Sequence, residues 1–495
     1  MATTPQDLQT TKTTLPPGPR RLPYIGNLLS LRQDPLGFLQ QLQQTYGNMA
    51  TIYLGRMPMV VLFRPEYVRY VLVEHPRNFS NRGVVQEDQG IASEGLLTID
   101  GEKHRQQRRA VQPAFHKKVV ESYATVIEQY TQELLKTWHP GDRVDMSSAM
   151  QQLTLRIVSK CLFNIDLSNQ LNALGDAFNN MIGSSTSVAE DFLNIRIDNP
   201  LTGYGKRRAA MRQLNMLIYT LIAQRREDDR EHNDVLSMLM SAQSGEEPET
   251  KLTDKQIHDH ILTFLAAGHE TTAIALVWTF YLLSKHPQVR EKLLDEIRTV
   301  LAGRAPTVDD LASLPYLDWV LSESMRLYPP AWMQMRFVDK EFELDGVRFP
   351  PGTLLMLSQW VIHRLPDIWE DPEVFRPERW DPENAQQIPP GAYFPFGGGP
   401  RICIGMPFAQ LEAKLILATI LQHYVPQTAP GYKPELQPVI TLRPKRNLHV
   451  TLIPTASNAS ASQWKQLIRV PDASLYEGAG RRGCRTAILN LFRLS

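Results

Sequence analysis

Residues 394–405 read FPFGGGPRICIG. The cysteine of this glycine-rich turn runs directly into MPFAQLEAKLILATILQHY at 406–424, whose apolar spacing predicts a helix. A cysteine so placed lies beside the free amides and positive dipole end of the helix start, which stabilise an anionic sulfur. The glycines are expected to let the backbone approach something flat and large. A thiolate held this way is a metal ligand or a nucleophile. A phosphate loop would end in Gly-Lys-Ser/Thr and a dinucleotide loop would carry GxGxxG; neither is present. An inert buried cysteine would leave the glycines and Arg401 without a reason.

The rest of the composition narrows the class. The chain has 495 residues, 42% hydrophobic and 21% charged, with Lys+Arg 53 against Asp+Glu 52. That balance carries no electrostatic footprint for nucleic acid. The three cysteines, Cys161, Cys403 and Cys484, are too far apart for a disulfide framework or a Cys-x-x-Cys zinc site, and a reducing cytoplasm is the expected compartment. Residues 1–35 contain no apolar run suited to a signal peptide or transmembrane anchor. Residues 261–283, ILTFLAAGHETTAIALVWTFYLL, are almost long enough to span a bilayer. Charged Glu270 at the middle argues instead for a buried core helix with a functional centre.

Helical patterns dominate between about 66 and 432, so the expected class is mainly α with small β-sheets. Hairpins are predicted in MATIYLGRMPMVVLF, around Gly55, and in FELDGVRFPPGTLLML, where Asp345-Gly346 supplies the turn. The expected organisation is a flexible N-terminus (1–15), one catalytic domain (16–454) and a tail of unknown role (455–495).

On its long cysteine motif, FGGGPRICIG resembles the haem-binding loop of the cytochrome P-450 superfamily. A second match is 267–272, AGHETT, which is similar to that family's central oxygen-activating helix. Phe264, Ala267, Gly268 and Thr271 fall at i, i+3, i+4 and i+7 and share a face, with small Ala267 and Gly268 leaving room over a cofactor. A third is the Glu323-x-x-Arg326 pair in LSESMRLYPP, followed by FRPERW at 375–380; alone, such an i,i+3 pair says almost nothing.

The resemblance covers about 16–454 and implies a fold with haem between the central helix and the cysteine helix. By it, Cys403 is the axial thiolate on the iron of haem b, Phe396 packs by the sulfur, and Arg401, His104, Arg108 and Arg336 meet the propionates. The family often has Trp at the position of His104, which still keeps a ring N–H donor. Thr271 is the hydroxyl relay and Glu270 the proton source. Glu323, Arg326 and Arg379 form a buried structural network.

The implied activity is a haem-thiolate monooxygenase that inserts one atom of dioxygen into a hydrophobic molecule such as a terpene or fatty acid. Electrons come from an external ferredoxin or flavodoxin with its NAD(P)H reductase, since no flavin or iron–sulfur cluster is expected in this chain. Lys103, Arg105, Arg109, Lys117 and Lys118, with Arg401, are expected to form a basic docking face. The substrate pocket is expected from 84–97, 175–204, Phe264, Ala331, Trp332 and Met333. A monomer is expected. The alternatives are a peroxide-using or non-oxygenating haem-thiolate enzyme, and a haem-based sensor.

Overall fold

The computed structural model describes residues 15–81, 93–166, 171–183, 198–199, 202–228, 230, 232, 234–243 and 251–455. Most of 84–97 and of 175–204, expected to line the substrate pocket, and nearly all of both termini lie outside them.

The axis of the molecule is the 32-residue helix Asp254–Lys285. It starts at a capping box, in which Gln256 N–H donates to the Thr253 hydroxyl and the Thr253 N–H donates to Gln256 Oε1 at 2.8 Å. Such a cap is worth about 1 kcal/mol. The helix stops at His286 because Pro287 opens the next one, Pro287–Leu301. Among the described residues this is the one helix long and apolar enough to cross a membrane, yet 72% of its most apolar window is buried inside the protein. Helices Met146–Phe163, Pro315–Leu327 and Met406–His423 pack around it.

A five-stranded sheet lies to one side, in the order Met49–Leu54, Met57–Leu62, Leu354–Leu357, Gln334–Val338, Phe79–Ser80. Both predicted hairpins form. Met49–Leu54 pairs antiparallel with Met57–Leu62, and Phe342–Leu344 with Val347–Phe349 across Asp345 (φ 48°) and Gly346 (φ 73°), the left-handed pair that a tight hairpin needs. The apolar interior falls into two clusters, one around the central helix and one beneath the sheet. The mainly-α expectation with small sheets therefore holds, and the cysteine loop lies between the sheet side and the helical side.

Candidate active site

The Cys403 loop is closed on itself and tied at its upstream end. Cys403 N–H donates to the Phe396 carbonyl at 2.9 Å, and Met406 N–H to the Cys403 carbonyl at 3.3 Å as the helix begins. Upstream, Phe394 N–H donates to Nε2 of fully buried His363 at 3.1 Å. The glycines answer a packing demand that differs from the one expected. Gly397 and Gly399 are left-handed (φ +75° and +62°); a Cβ on Gly399 would collide with the Leu72 carbonyl, and one on Gly397 would stand 2.9 Å from the Gln334 amide. What these glycines approach is the protein itself, because the loop is pressed onto the helical turn Tyr70–Glu74 and the strand Gln334–Val338.

The Cys403 thiol is accessible by area yet crowded by protein, as a side chain on an interior wall is. Burial pushes its pKa up, opposed by the Gly405 and Met406 amides and by the charge of Arg108. Cys161, by contrast, is buried in the core with its thiol pushed well up, and is inert.

Four basic side chains gather near that thiol. Arg401 Nη2 donates to the Ile99 carbonyl and to the Asp100 carboxylate. Arg336 Nη1 donates to the Met335 carbonyl at 2.7 Å, and burial and the neighbouring Arg401 push its pKa down to about 10. Among the described residues no carboxylate stands within ion-pair distance of Arg108 or Arg336. Burial, then the charges of Arg401, Arg108 and Arg336, pushes His104 down to about 4, so at neutral pH it is an uncharged N–H donor. Three guanidiniums against one carboxylate leave two positive charges in a desolvated place, which calls for a dianion. The two propionates of haem carry that charge, and the thiol stands beside the cluster, so these residues fit the group.

The central helix offers one opening. Between Gln256 and Ser284 only Thr263, Ala266, Ala267, Gly268 and Thr271 are not buried. Thr271 Oγ1 donates to the Ala267 carbonyl at 2.7 Å, a bond one turn back that leaves its oxygen free to accept. Glu270 points elsewhere. Its carboxylate accepts from Thr441 Oγ1 at 2.8 Å and lies 3.8 Å from Arg443 Nη1, and burial raises its pKa. Arg443, with Ala273, Ile274 and Val277 from the same helix face, lines a polar cleft of about 310 Å³. The two residues expected to act as neighbours thus look onto different sides of one helix.

Two expectations about this helix change. Gly268 serves helix packing, because a Cβ there would stand 2.7 Å from Val158 Cγ2 on Met146–Phe163. Phe264 is 6% exposed and packs on Phe115, with ring centroids 5.8 Å apart, so it belongs to the core. Phe115 also lies 4.0 Å from a Cβ built on Gly405, and so links the central helix to the cysteine loop. We expect Gly268→Ala to cost about 1–2 kcal/mol, since overpacking against a stiff β-branched neighbour outweighs the helix-propensity gain. In a Val158→Ala background the same change should become neutral or stabilising. Urea melts of the four proteins check this; equal effects in both backgrounds would exclude the contact as the cause.

Trp332 also departs from its expected place. It is 4% exposed, its ring N–H donates to the Val439 carbonyl at 2.9 Å, and Met333 packs against the same sheet-side cluster. A buried tryptophan with its hydrogen bond met is core and not pocket wall, while Met333 beside it is half-buried. Ala331 is half-buried before the strand Gln334–Val338.

Glu323, Arg326 and Arg379 come together as expected. Glu323, fully buried, accepts from Arg326 Nε and Nη2, both at 2.8 Å, from Arg379 Nε at 3.2 Å, from Trp380 Nε1 at 3.0 Å and from Arg376 N–H at 3.1 Å. Arg326 Nη1 then donates to the His363 carbonyl at 2.8 Å, and His363 is the residue that holds Phe394. This carries the network to the cysteine loop. Reasoning from sequence missed Asp100, Phe115, His363, Thr441 and Arg443. No motif marks any of them.

The family model for cytochrome P-450 matches residues 16–451. The chain belongs to the cytochrome P-450 family. It is 37% identical to cyclooctatin synthase of Streptomyces melanosporofaciens over 86% of this chain and 92% of that protein. Similarity to cyclooctat-9-en-7-ol 5-monooxygenase of the same organism is 35%, over 83% and 90%. Pentalenene oxygenase of Streptomyces avermitilis is 34% identical over 82% of this chain and 90% of its own. As a cytochrome P-450 this chain is a haem-dependent monooxygenase, and its activity is insertion of one oxygen atom from dioxygen into a hydrophobic molecule.

Proposed function

We propose that this cytochrome P-450 oxygenates a terpene. The observation that carries the reading is the set of relatives named for cyclooctat-9-en-7-ol, cyclooctatin and pentalenene chemistry, each matched over more than four-fifths of this chain. The small side chains of Ala266 and Ala267 on the open stretch of the central helix are consistent with a bulky apolar ligand. Titrating the haem-loaded protein with a cyclic terpene and with palmitic acid, and following the Soret band, tests it. The terpene should shift the band at micromolar concentration; a shift with the fatty acid alone would overturn the choice.

Cys403 would hold haem b, which when bound would supply the dioxygen-activating redox chemistry. Cys403 ligates, and Phe396 flanks the loop. His104, Arg108, Arg336 and Arg401 hold the two propionates, Arg401 sharing its guanidinium with Asp100. Thr271 presents its hydroxyl to the open face, while Glu270, turned to another side of the helix, would take up protons from the polar cleft and reach Thr271 only through intervening water. The raised pKa of Glu270 keeps a proton on that carboxyl at higher pH than an exposed glutamate would. Thr441 and Arg443 connect Glu270 to water in the polar cleft.

We expect Thr271→Ala to remain a folded haem protein whose product per electron falls on the order of 10²-fold, the missing equivalents appearing as hydrogen peroxide. Product and peroxide measured against NAD(P)H consumed give the result. Unchanged coupling would remove Thr271 from the relay.

An external ferredoxin or flavodoxin is the proposed electron donor, with this chain acting as a cytoplasmic monomer. Three widely separated cysteines support the absence of a built-in iron–sulfur cluster. The basic face is weaker than its sequence suggests. Lys103 is paired with Glu94 at 3.1 Å, Arg105 with Glu102, and Lys117 with Glu121 at 3.7 Å, while Arg401 is turned inward to Asp100. Arg109 and Lys118 are the members that retain unshared charge among the described residues.

A further inference from the structure

The Glu270 carboxyl is held from outside its own helix, by a hairpin near the end of the described chain. Strands Leu436–Pro438 and Leu442–Pro444 pair antiparallel with Gln437 opposite Arg443, and the turn between them carries Thr441. Thr441 Oγ1 donates to Glu270 Oε1 at 2.8 Å, both residues being buried, and Arg443 Nη1 stands 3.8 Å from the same oxygen. The turn is pinned on both flanks. Leu442 N–H donates to the Pro330 carbonyl at 2.9 Å, Trp332 Nε1 to the Val439 carbonyl at 2.9 Å, and Trp278 Nε1 of the central helix to the Leu442 carbonyl at 2.8 Å. A hydroxyl mounted on a turn fixed in this way is placed by the fold before any proton moves.

Two donors on one oxygen decide where a proton sits. A protonated carboxyl accepts at its carbonyl oxygen and donates from the other. With Thr441 and Arg443 both at Oε1, that atom is the acceptor and the acid proton belongs on Oε2. The charge acting on the carboxyl is that of Arg443; burial raises the Glu270 pKa, and the Thr441 bond and the Arg443 charge oppose the rise. The other ionisable groups nearby are occupied or face elsewhere. Asp176 lines the same cleft from the helix Leu171–Gly183, and Lys445 is paired with Glu435 at 2.7 Å. His269 turns inward, donating to the Leu265 carbonyl at 2.7 Å and packing on Phe178, and burial pushes its pKa down to about 4, so it carries no charge at neutral pH.

We propose that Thr441 is the positioning residue for proton delivery: its hydroxyl fixes Oε1 of Glu270 and leaves Oε2 to carry the proton and hand it on. This role rests on the reading of Glu270 as the proton source. Thr441 acts in it only through Glu270.

Infrared difference spectra of the full-length haem-loaded protein between low and high pH test it, the carbonyl band of protonated Glu270 being the one missing from Glu270→Gln. Thr441→Val keeps the shape and removes the donor. It should raise the pH midpoint at which the band is lost by about one unit or more, because a hydrogen bond given to a carboxylate favours the charged form. Arg443→Gln should move the midpoint in the same direction, and Thr441→Ser should restore it. Product formed per NAD(P)H should fall roughly tenfold in Thr441→Val and recover in Thr441→Ser, with an unchanged carbon monoxide spectrum showing that each variant is folded. An unmoved midpoint in Thr441→Val, a shift that Thr441→Ser shares, or wild-type coupling in Thr441→Val would overturn the proposal. Wild-type coupling in Glu270→Gln is the separate result that would overturn the reading of Glu270 as proton source, and the positioning role with it.

Discussion

Replacing Cys403 by alanine should abolish the strongly red-shifted Soret band of the dithionite-reduced, carbon monoxide-treated protein, and with it all monooxygenase turnover. A thiolate ligand on the haem iron would be what moves that band, and the substitution takes away the one accessible thiol among the described residues. The fold should survive. The loop is held by backbone groups, Cys403 N–H to Phe396 O and Phe394 N–H to His363, that alanine leaves in place. The variant should therefore match the wild type in far-ultraviolet circular dichroism, with any haem it keeps ligated differently. A wild-type-like shifted band in the alanine protein would place the ligand elsewhere and remove the basis for every role assigned around Cys403. Peroxide-driven or sensing alternatives share the same thiolate, so they are separated by the Thr271→Ala coupling measurement and not by this one.

The second large effect is expected far from the sulfur. Glu323→Gln should cost roughly 3–5 kcal/mol and lower haem retention, because it leaves two guanidiniums in the interior facing an amide in place of a carboxylate. Every oxygen lone pair of Glu323 that the structure uses is directed at a buried donor, from Arg326, Arg379, Trp380 and the Arg376 backbone. Since Arg326 also holds the His363 carbonyl, the slackened network reaches Phe394 and the entry to the cysteine loop. Chemical denaturation and the haem-to-protein absorbance ratio are the two readouts. Glu121→Gln is the control. Its partner Lys117 is 90% exposed at 3.7 Å, and the loss should stay under about 1 kcal/mol. A Glu323→Gln protein as stable as the control would show that the network is dispensable.

These two pairs show why part of the molecule was legible in advance. On paper Glu323-x-x-Arg326 and Lys117-x-x-x-Glu121 are both one-turn ion pairs; only burial makes the first a keystone and leaves the second a solvated contact. The docking face suffered the same ambiguity in reverse. Its lysines and arginines were counted without the Glu94, Glu102 and Glu121 that the folded chain sets beside them.

By itself the sequence determined the family, the mainly-α class, both hairpins, the cysteine loop and the helix that carries Thr271. Each is written in a short contiguous stretch, where local chemistry such as glycine before cysteine or Asp-Gly between β-formers admits few structures. Tertiary structure alone decided what those stretches touch. It set Gly399 against Leu72, Gly268 against Val158, Arg401 onto Asp100, Glu270 onto Thr441 and Arg443, and Trp332 into the core beside Val439. Such partners lie tens to hundreds of residues apart, and side chains meet across that separation only through the packing of whole helices and sheets, which no local pattern encodes.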